Sequence, residues 1–199
     1  MVTFYNSEKI EVAAFEQAKQ GNSCCGDAHS VIHADDYTVC AVADGLGSGE
    51  QALDAALAAI GEIQRYHGLT VGQMVEACND ALHNKRGAVL TVLKIDYKKQ
   101  EISYCNYGNI GFVMYLPDGK TIQPIPSRGY LSGKKTNFKS SSFPYMKGSS
   151  FLLYSDGVKK RPAKDTLVQM TSPREASSYL FSNNELVSDD VTMLVGKLL

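Results

Sequence analysis

What the chain lacks narrows its function first. Its 20 basic and 21 acidic side chains leave a net charge of −1 and a pI near 6.4. There is no cationic excess to hold nucleic acid or an anionic membrane surface. No stretch approaches the ~20 consecutive apolar residues of a membrane span, and the opening MVTFYNSEKIEV carries charges where a signal peptide needs an apolar core. The five cysteines (Cys24, Cys25, Cys40, Cys78, Cys105) include no CxxC pair. Cys40 lies in an apolar run and Cys78 on the apolar side of a helical pattern, so they read as small core residues in a reducing, cytoplasmic compartment. Repeats, low-complexity tracts and linkers are absent too. With 199 residues, 44% of them hydrophobic, the expectation is one domain over 1–199 with a sizeable core.

One stretch organises what is present: Thr38-Val-Cys-Ala-Val-Ala-Asp44-Gly-Leu-Gly-Ser-Gly49. The apolar run with Val39 and Val42 predicts a buried strand ending on an acid. Glycines at every second residue follow, then an alanine-rich helical pattern from about Glu50. The turn has room for a nucleotide phosphate, but no GxGxxG motif or Walker lysine accompanies it. A carboxylate beside bare backbone carbonyls instead makes a site for a hard cation such as Mg²⁺ or Mn²⁺. The same residues could also be a plain strand-to-helix turn with a solvated Asp.

The chain around this stretch alternates between the two hydrophobic periods. Ile10, Val12 and Ala14 predict a strand within 8–18, and Gly21-Asn22-Ser23 breaks it ahead of a loop through Cys24-Cys25-Gly26-Asp27. His29 and His33 have the spacing of a helical ligand pair, but the Gly, Asp and Ser around them argue against a helix and for structural histidines. Leu53, Leu57 and Ile60 share one stripe with Ala52, Ala56 and Ile63 beside it, which predicts a core-facing helix of about 16 residues. Thr70-x-x-Gln73 forms a capping box for a second helix with stripe Val71, Met74, Val75, Cys78 and Leu82. Strands are then expected over 88–96, 101–107 and 110–116, with a short one near 121–124, joined by turn chemistry as an antiparallel meander. The segment 128–138 reads as a polar connection. Residues 150–155 read as a buried strand, Ser172-Pro173-Arg174-Glu175 as a helix start, and Val191-Thr-Met-Leu-Val195 as a last strand. The fold class is α+β.

Four acidic points share a setting: Asp27, Asp44, Asp156 and the pair Asp189-Asp190. Asp44 and Asp156 each stop an apolar strand before a glycine, and Asp189-Asp190 precede one. Carboxylates gathered at one rim repel unless cations lie between them, so convergence implies metal. Two divalent ions could activate a water for in-line attack on phosphorus. Asp44 is the natural shared ligand, because its glycine neighbour leaves the Gly45 carbonyl free to bind as well.

These motifs resemble the metal-dependent protein serine/threonine phosphatases (the PPM, or type 2C, family) and, within it, the SpoIIE-like bacterial branch. The residues that carry the likeness are Asp44-Gly-Leu-Gly-Ser-Gly49, Phe151-Leu-Leu-Tyr-Ser-Asp156-Gly157 and Asp189-Asp190-Val-Thr-Met-Leu, with Gly26-Asp27 and Tyr107-Gly108-Asn109 in support. The likeness runs over nearly the whole chain. It implies a four-layer αββα sandwich with two central antiparallel sheets. It also implies two Mn²⁺ or Mg²⁺ ions bridged by Asp44, with Asp27 and the Gly45 carbonyl serving one ion and Asp156 and Asp189 the other. Asp189 is taken over Asp190 because the family's ligand is the first of its pair.

Asn84-Lys-Arg-Gly-Ala88 and Gly129-Tyr-Leu-Ser-Gly133 further resemble members that act in feedback on general stress signalling. That implies a monomer acting on phosphorylated STAS-domain proteins of the stressosome, with the loops around Leu46, Gly47 and 129–133 meeting the partner. The alternative from another class is a catalytically silent module that holds a phosphoprotein in the same cleft; the complete acidic set favours the enzyme. Three positions depart from the family pattern. Gly26 stands where many members carry an acid, Leu46 where many carry a histidine, and no arginine near the N-terminus matches the phosphate clamp, Lys19 being a poor positional match.

Overall fold

Strand alternation along residues 37–45 sets the architecture. Val39, Ala41 and Ala43 pack under two helices, while Cys40 and Val42 face the opposite way into a second core. A strand buried on both faces must lie between layers. In the computed structural model, which describes residues 1–176 and 188–199, there are two such sheets. One has the order β1 (Val2–Asn6), β2 (Ile10–Gln17), β11 (Val191–Leu198), β10 (Ser150–Tyr154), β7 (Gly111–Tyr115), β8 (Thr121–Ile122). The other runs β3 (Asp27–His33), β4 (Tyr37–Gly45), β5 (Ala88–Asp96), β6 (Glu101–Tyr107), β9 (Ser140–Pro144). All pairings are antiparallel.

Between the sheets, Ile10, Val12, Leu93, Ile102, Phe112, Phe151 and Leu194 form the central core. Helices α1 (Glu50–Tyr66) and α2 (Val71–Ala81) cover the β3–β9 sheet. On the far side, Leu167 and Met170 of α3 (Lys164–Gln169) and its C-cap, with Ala176, cover Val113, Leu152, Met193 and Val195. The result is the expected four-layer αββα order.

Several local expectations hold. The Thr70 hydroxyl accepts from the Gln73 amide while the Gln73 side chain accepts from the Thr70 amide, closing the capping box. Cys40, Cys78 and Cys105 are buried free thiols. Residues 173–176 are helical, as the Ser-Pro-Arg-Glu start predicts; the rest of that segment lies outside the described residues.

Other elements differ, each for a tertiary reason. The segment around His29 and His33 is strand β3. His29 shares hydrogen bonds with Tyr5 and Glu16, and His33 with Thr38, so both histidines are structural. β1, β9 and α3 carry no clear period of their own and form by edge pairing or by covering the outer face. The meander is not continuous. β6 pairs with β9, and the chain then crosses to the other sheet, where β7 pairs with β8 and β10. Gly108 makes that crossing possible at φ +122°, where a Cβ would lie 2.2 Å from the Val89 side chain.

Helix α1 packs through the Ala52, Ala56, Ile60 and Ile63 side of its expected stripe rather than through its leucines. Its buried side is Ala52, Ala55, Ala56, Ala59, Ile60 and Ile63, while Leu57 is 53% exposed. Small residues win there because the helix sits directly on the Asp44-Gly45 turn: a Cβ on Gly45 would lie 1.9 Å from the Ala52 carbonyl oxygen.

Candidate metal centre

The acids lie at strand ends of the two sheets. Asp27 at the start of β3 lies opposite Asp44 near the end of β4 in the strand register. Asp44 shares the face of Cys40 and Val42, so it points between the sheets. From the other sheet, Asp156 follows the end of β10, and Asp189 and Asp190 precede β11, which pairs with β10.

A glycine beside each acid lets these ends approach. Gly45 lies against the Ala52 carbonyl of α1. A Cβ on Gly157 would be 2.0 Å from the Asp190 carbonyl oxygen, and one on Gly26 would be 2.8 Å from Asp190 Oδ2. Gly26 is therefore required by its neighbour: the space an acidic side chain would need at that position holds the Asp190 carboxylate.

The two halves of the cluster are held differently. Asp27 is 3% exposed, and its Oδ2 has no hydrogen-bond partner. Burial pushes its carboxyl up to about 6, with Asp190 and Asp156 adding repulsion and the nearby Ser155 and Thr192 hydroxyls opposing the rise. Asp44 goes further, to about 8, first through burial and then through the charges of Asp27, Asp156, Asp189 and Asp190. On the opposite side, Asn109 donates to Asp156 Oδ2 at 2.8 Å, and Lys159 Nζ donates to the Asp156 carbonyl at 3.0 Å. Asp190 is 5% exposed and its Oδ1 accepts the Lys19 amide at 2.8 Å, while Asp189 Oδ1 accepts the Asp190 amide at 3.0 Å.

All five predicted site residues (Asp27, Asp44, Gly45, Asp156 and Asp189) thus lie at this end of the sandwich. The carboxylates ring the cleft without closing on one point: among the described residues, no three His, Cys, Asp or Glu side chains form a ready-made ligand cluster. The residues nevertheless fit a hard divalent cation. The donors are all oxygen, one buried carboxylate oxygen is orphaned, and Asp44 retains a proton that a cation would displace.

Residue reasoning missed the supporting shell. Asn109 orients Asp156, Asp190 anchors the loop at Lys19, and the Ser155 hydroxyl accepts the Thr192 amide at 2.9 Å between the strand ends. Tyr107-Gly108-Asn109 had entered only through family likeness, and a polar residue at the sheet-to-sheet crossing was the one signal of its role. In the loop 129–133, expected to meet a partner, Tyr130 is 50% exposed, whereas Leu131 is fully buried and paired with Ala88, so Leu131 belongs to the core.

Comparison with known proteins agrees with this fold. Residues 34–198 match the family model for stage II sporulation protein E (SpoIIE). The chain is 35% identical over 198 residues to the phosphoserine phosphatase RsbX of Bacillus subtilis (strain 168), covering 100% of both chains. The crystal structure of RsbX in complex with magnesium superposes with a TM-score of 0.94 at 35% identity, again over 100% of both chains. A chain from the structure described as the bacterial stressosome, a modular system adapted to control secondary messenger signalling, superposes at 0.86 with 26% identity, over 96% of this chain and 100% of that one. With the family model covering most of its length, the chain belongs to the SpoIIE family of PP2C-type protein serine/threonine phosphatase domains.

Proposed function

We propose that the chain, acting as a single domain and as a monomer, hydrolyses phosphoserine and phosphothreonine on STAS-domain proteins of a stressosome. By doing so it provides negative feedback on general stress signalling in the cytoplasm. One observation carries the chemistry: half-buried Asp44 feels the charges of four other carboxylates, and its own carboxyl is raised to about 8, an arrangement that is costly unless cations neutralise it. The choice of partner is supported by full-length likeness to RsbX and to the stressosome chain.

Two Mn²⁺ or Mg²⁺ ions would be held by the carboxylates of Asp27, Asp44, Asp156 and Asp189 together with the Gly45 carbonyl. When bound, they would supply Lewis acidity toward the phosphoryl oxygens and lower the pKa of a water nucleophile. The protein's own residues do the rest. Asp44 gives up its proton as the charge around it is neutralised, and Gly45 brings its backbone close because it has no side chain. Asn109 holds Asp156 in one rotamer. Asp190, with Oδ1 occupied by the Lys19 amide and its own amide donated to Asp189 Oδ1, keeps the β11 entry in place. No helix among the described residues is long and apolar enough to cross a membrane.

The test is hydrolysis of a phosphorylated stressosome STAS protein with and without Mn²⁺, run beside Asp44→Asn. Metal-dependent turnover that disappears in the variant is expected. Inert wild-type protein that still binds the phosphoprotein would establish the binding-module alternative instead.

A further inference from the structure

Beside the acids lies a mostly apolar groove of about 450 Å³, lined by neighbours of Asp44 and Asp156. Its floor is Val89, which lies opposite Asp44 in the β4–β5 register. One end is Asn109, the donor to Asp156, and the near wall is Leu46, which follows Gly45. Pro126 and the half-exposed Tyr130 form the far wall, and Arg128 stands on the rim, exposed and without an ion-pair partner among the described residues.

The walls are fastened from behind. The Leu46 amide donates to the Gly87 carbonyl at 3.0 Å, and Ala88 and Leu131 exchange backbone hydrogen bonds at 3.1 and 2.8 Å. Gly87, at φ +97°, lets the walls close: a Cβ there would sit 3.1 Å from Tyr130 Cδ2 and 3.3 Å from Leu46 Cδ1. Leu46 and Tyr130 therefore converge over one backbone position, and the groove is formed before any partner arrives.

An extended peptide advances about 7 Å over two residues. A substrate whose phosphate lies at the carboxylates therefore carries a nearby side chain across Val89 toward Tyr130. We infer that the groove is a specificity subsite for the polypeptide flanking the phosphorylated residue. It takes an apolar side chain between Leu46, Val89 and Tyr130, and an acidic side chain further out pairs with Arg128. This inference rests on the phosphatase reading. Adjacency to the acids, through Val89 across from Asp44 and Asn109 on Asp156, names the occupant as substrate; the apolar walls select the first side chain and the Arg128 guanidinium the second.

The experiment uses phosphoserine peptides with Leu or Ser two residues before or after the phosphoserine and Glu or Lys beyond it. The full chain in Mn²⁺ is assayed on these peptides and on p-nitrophenyl phosphate. The Leu peptide with Glu is expected to exceed the Ser peptide by about tenfold in kcat/KM, the scale for burying one such side chain. Tyr130→Ala is expected to erase the Leu preference, and Arg128→Glu to invert the Glu-over-Lys preference. Equal turnover of all peptides by the wild type would overturn the inference, as would a Leu preference that survives Tyr130→Ala. A concentration-dependent dimer abolished by Tyr130→Ala would put a second copy in the groove and also overturn it. Failure to hydrolyse even p-nitrophenyl phosphate would sink the phosphatase reading, and this inference with it.

Discussion

The two sheets contribute acids of different character to one cleft. The β3–β4 pair contributes Asp27 and Asp44, which are desolvated, short of hydrogen bonds and pushed up to about 6 and about 8. The β10–β11 side contributes Asp156, more open to solvent, and Asp189, with hydrogen bonds from Asn109 and from the Asp190 amide. Burial without partners makes a carboxylate poised to exchange its proton for a cation. Partnered, better-solvated carboxylates cost little to keep charged. One side of the cleft therefore stores electrostatic strain, and the other supplies donors that are already oriented.

The strongest way to break this asymmetry is to remove the strained centre. Asp44→Asn is expected to lower metal-dependent phosphatase activity by several orders of magnitude while leaving the fold intact. Asp156→Asn, on the better-solvated side, should cost clearly less. Near-normal turnover by Asp44→Asn would end the bridging role. Next comes the packing that holds Asp44 in place. Gly45→Ala puts a methyl 1.9 Å from a backbone oxygen that cannot move without α1. A loss of about 1–3 kcal/mol is expected in denaturant unfolding, together with weakened Mn²⁺ binding by calorimetry; unchanged stability would show that the turn yields freely.

A third test uses pH. Burial and the neighbouring carboxylates raise the Asp44 carboxyl from its ordinary 3.8 to about 8, so the folded metal-free protein holds a proton that the unfolded chain releases. The stability from this group is full below about 3.8 and is lost as pH rises to about 8. The rise in Asp27 to about 6 acts in the same direction over the lower part of that window. Thermal melts of metal-free protein should fall across this range, Asp44→Asn should flatten the fall, and Mg²⁺ should oppose it with proton release. A flat wild-type profile would contradict the strained pair. The smallest effect is expected on the partnered side. Asn109→Ala removes one hydrogen bond to a solvent-exposed carboxylate, worth about 1 kcal/mol, and should lower kcat/KM several-fold.

How much of this was legible in the chain depends on where each instruction is written. Residues 37–45, 88–96, 101–107, 150–154 and 191–198 announce strands because both their faces are buried, and Thr70 with Gln73 announces a helix because the capping hydrogen bonds are local. β1, β9 and α3 escaped notice because edge pairing and outer-face covering leave no strong period. Along α1 the pattern marks Ala52, Ala56, Ile60 and Ile63, which are buried, but nothing within the helix says that the Asp44-Gly45 turn will press on Ala52 and leave Leu57 exposed. At the site, the acids and the glycines beside them were visible as motifs, but the partners that hold them were not: Asn109 is 47 residues from Asp156, and Lys19 is 171 from Asp190.

By itself, then, the sequence determined which residues can carry the chemistry, the class of elements that present them, and the family they belong to. Those instructions are local in periodicity, capping and strand-end chemistry. Only the tertiary structure decided which carboxylates are strained and which are supported, why Gly26 faces Asp190, and that Leu46, Val89 and Tyr130 share one groove. Those properties depend on desolvation and on contacts between segments far apart in the chain, and neither exists until the two sheets have closed on each other.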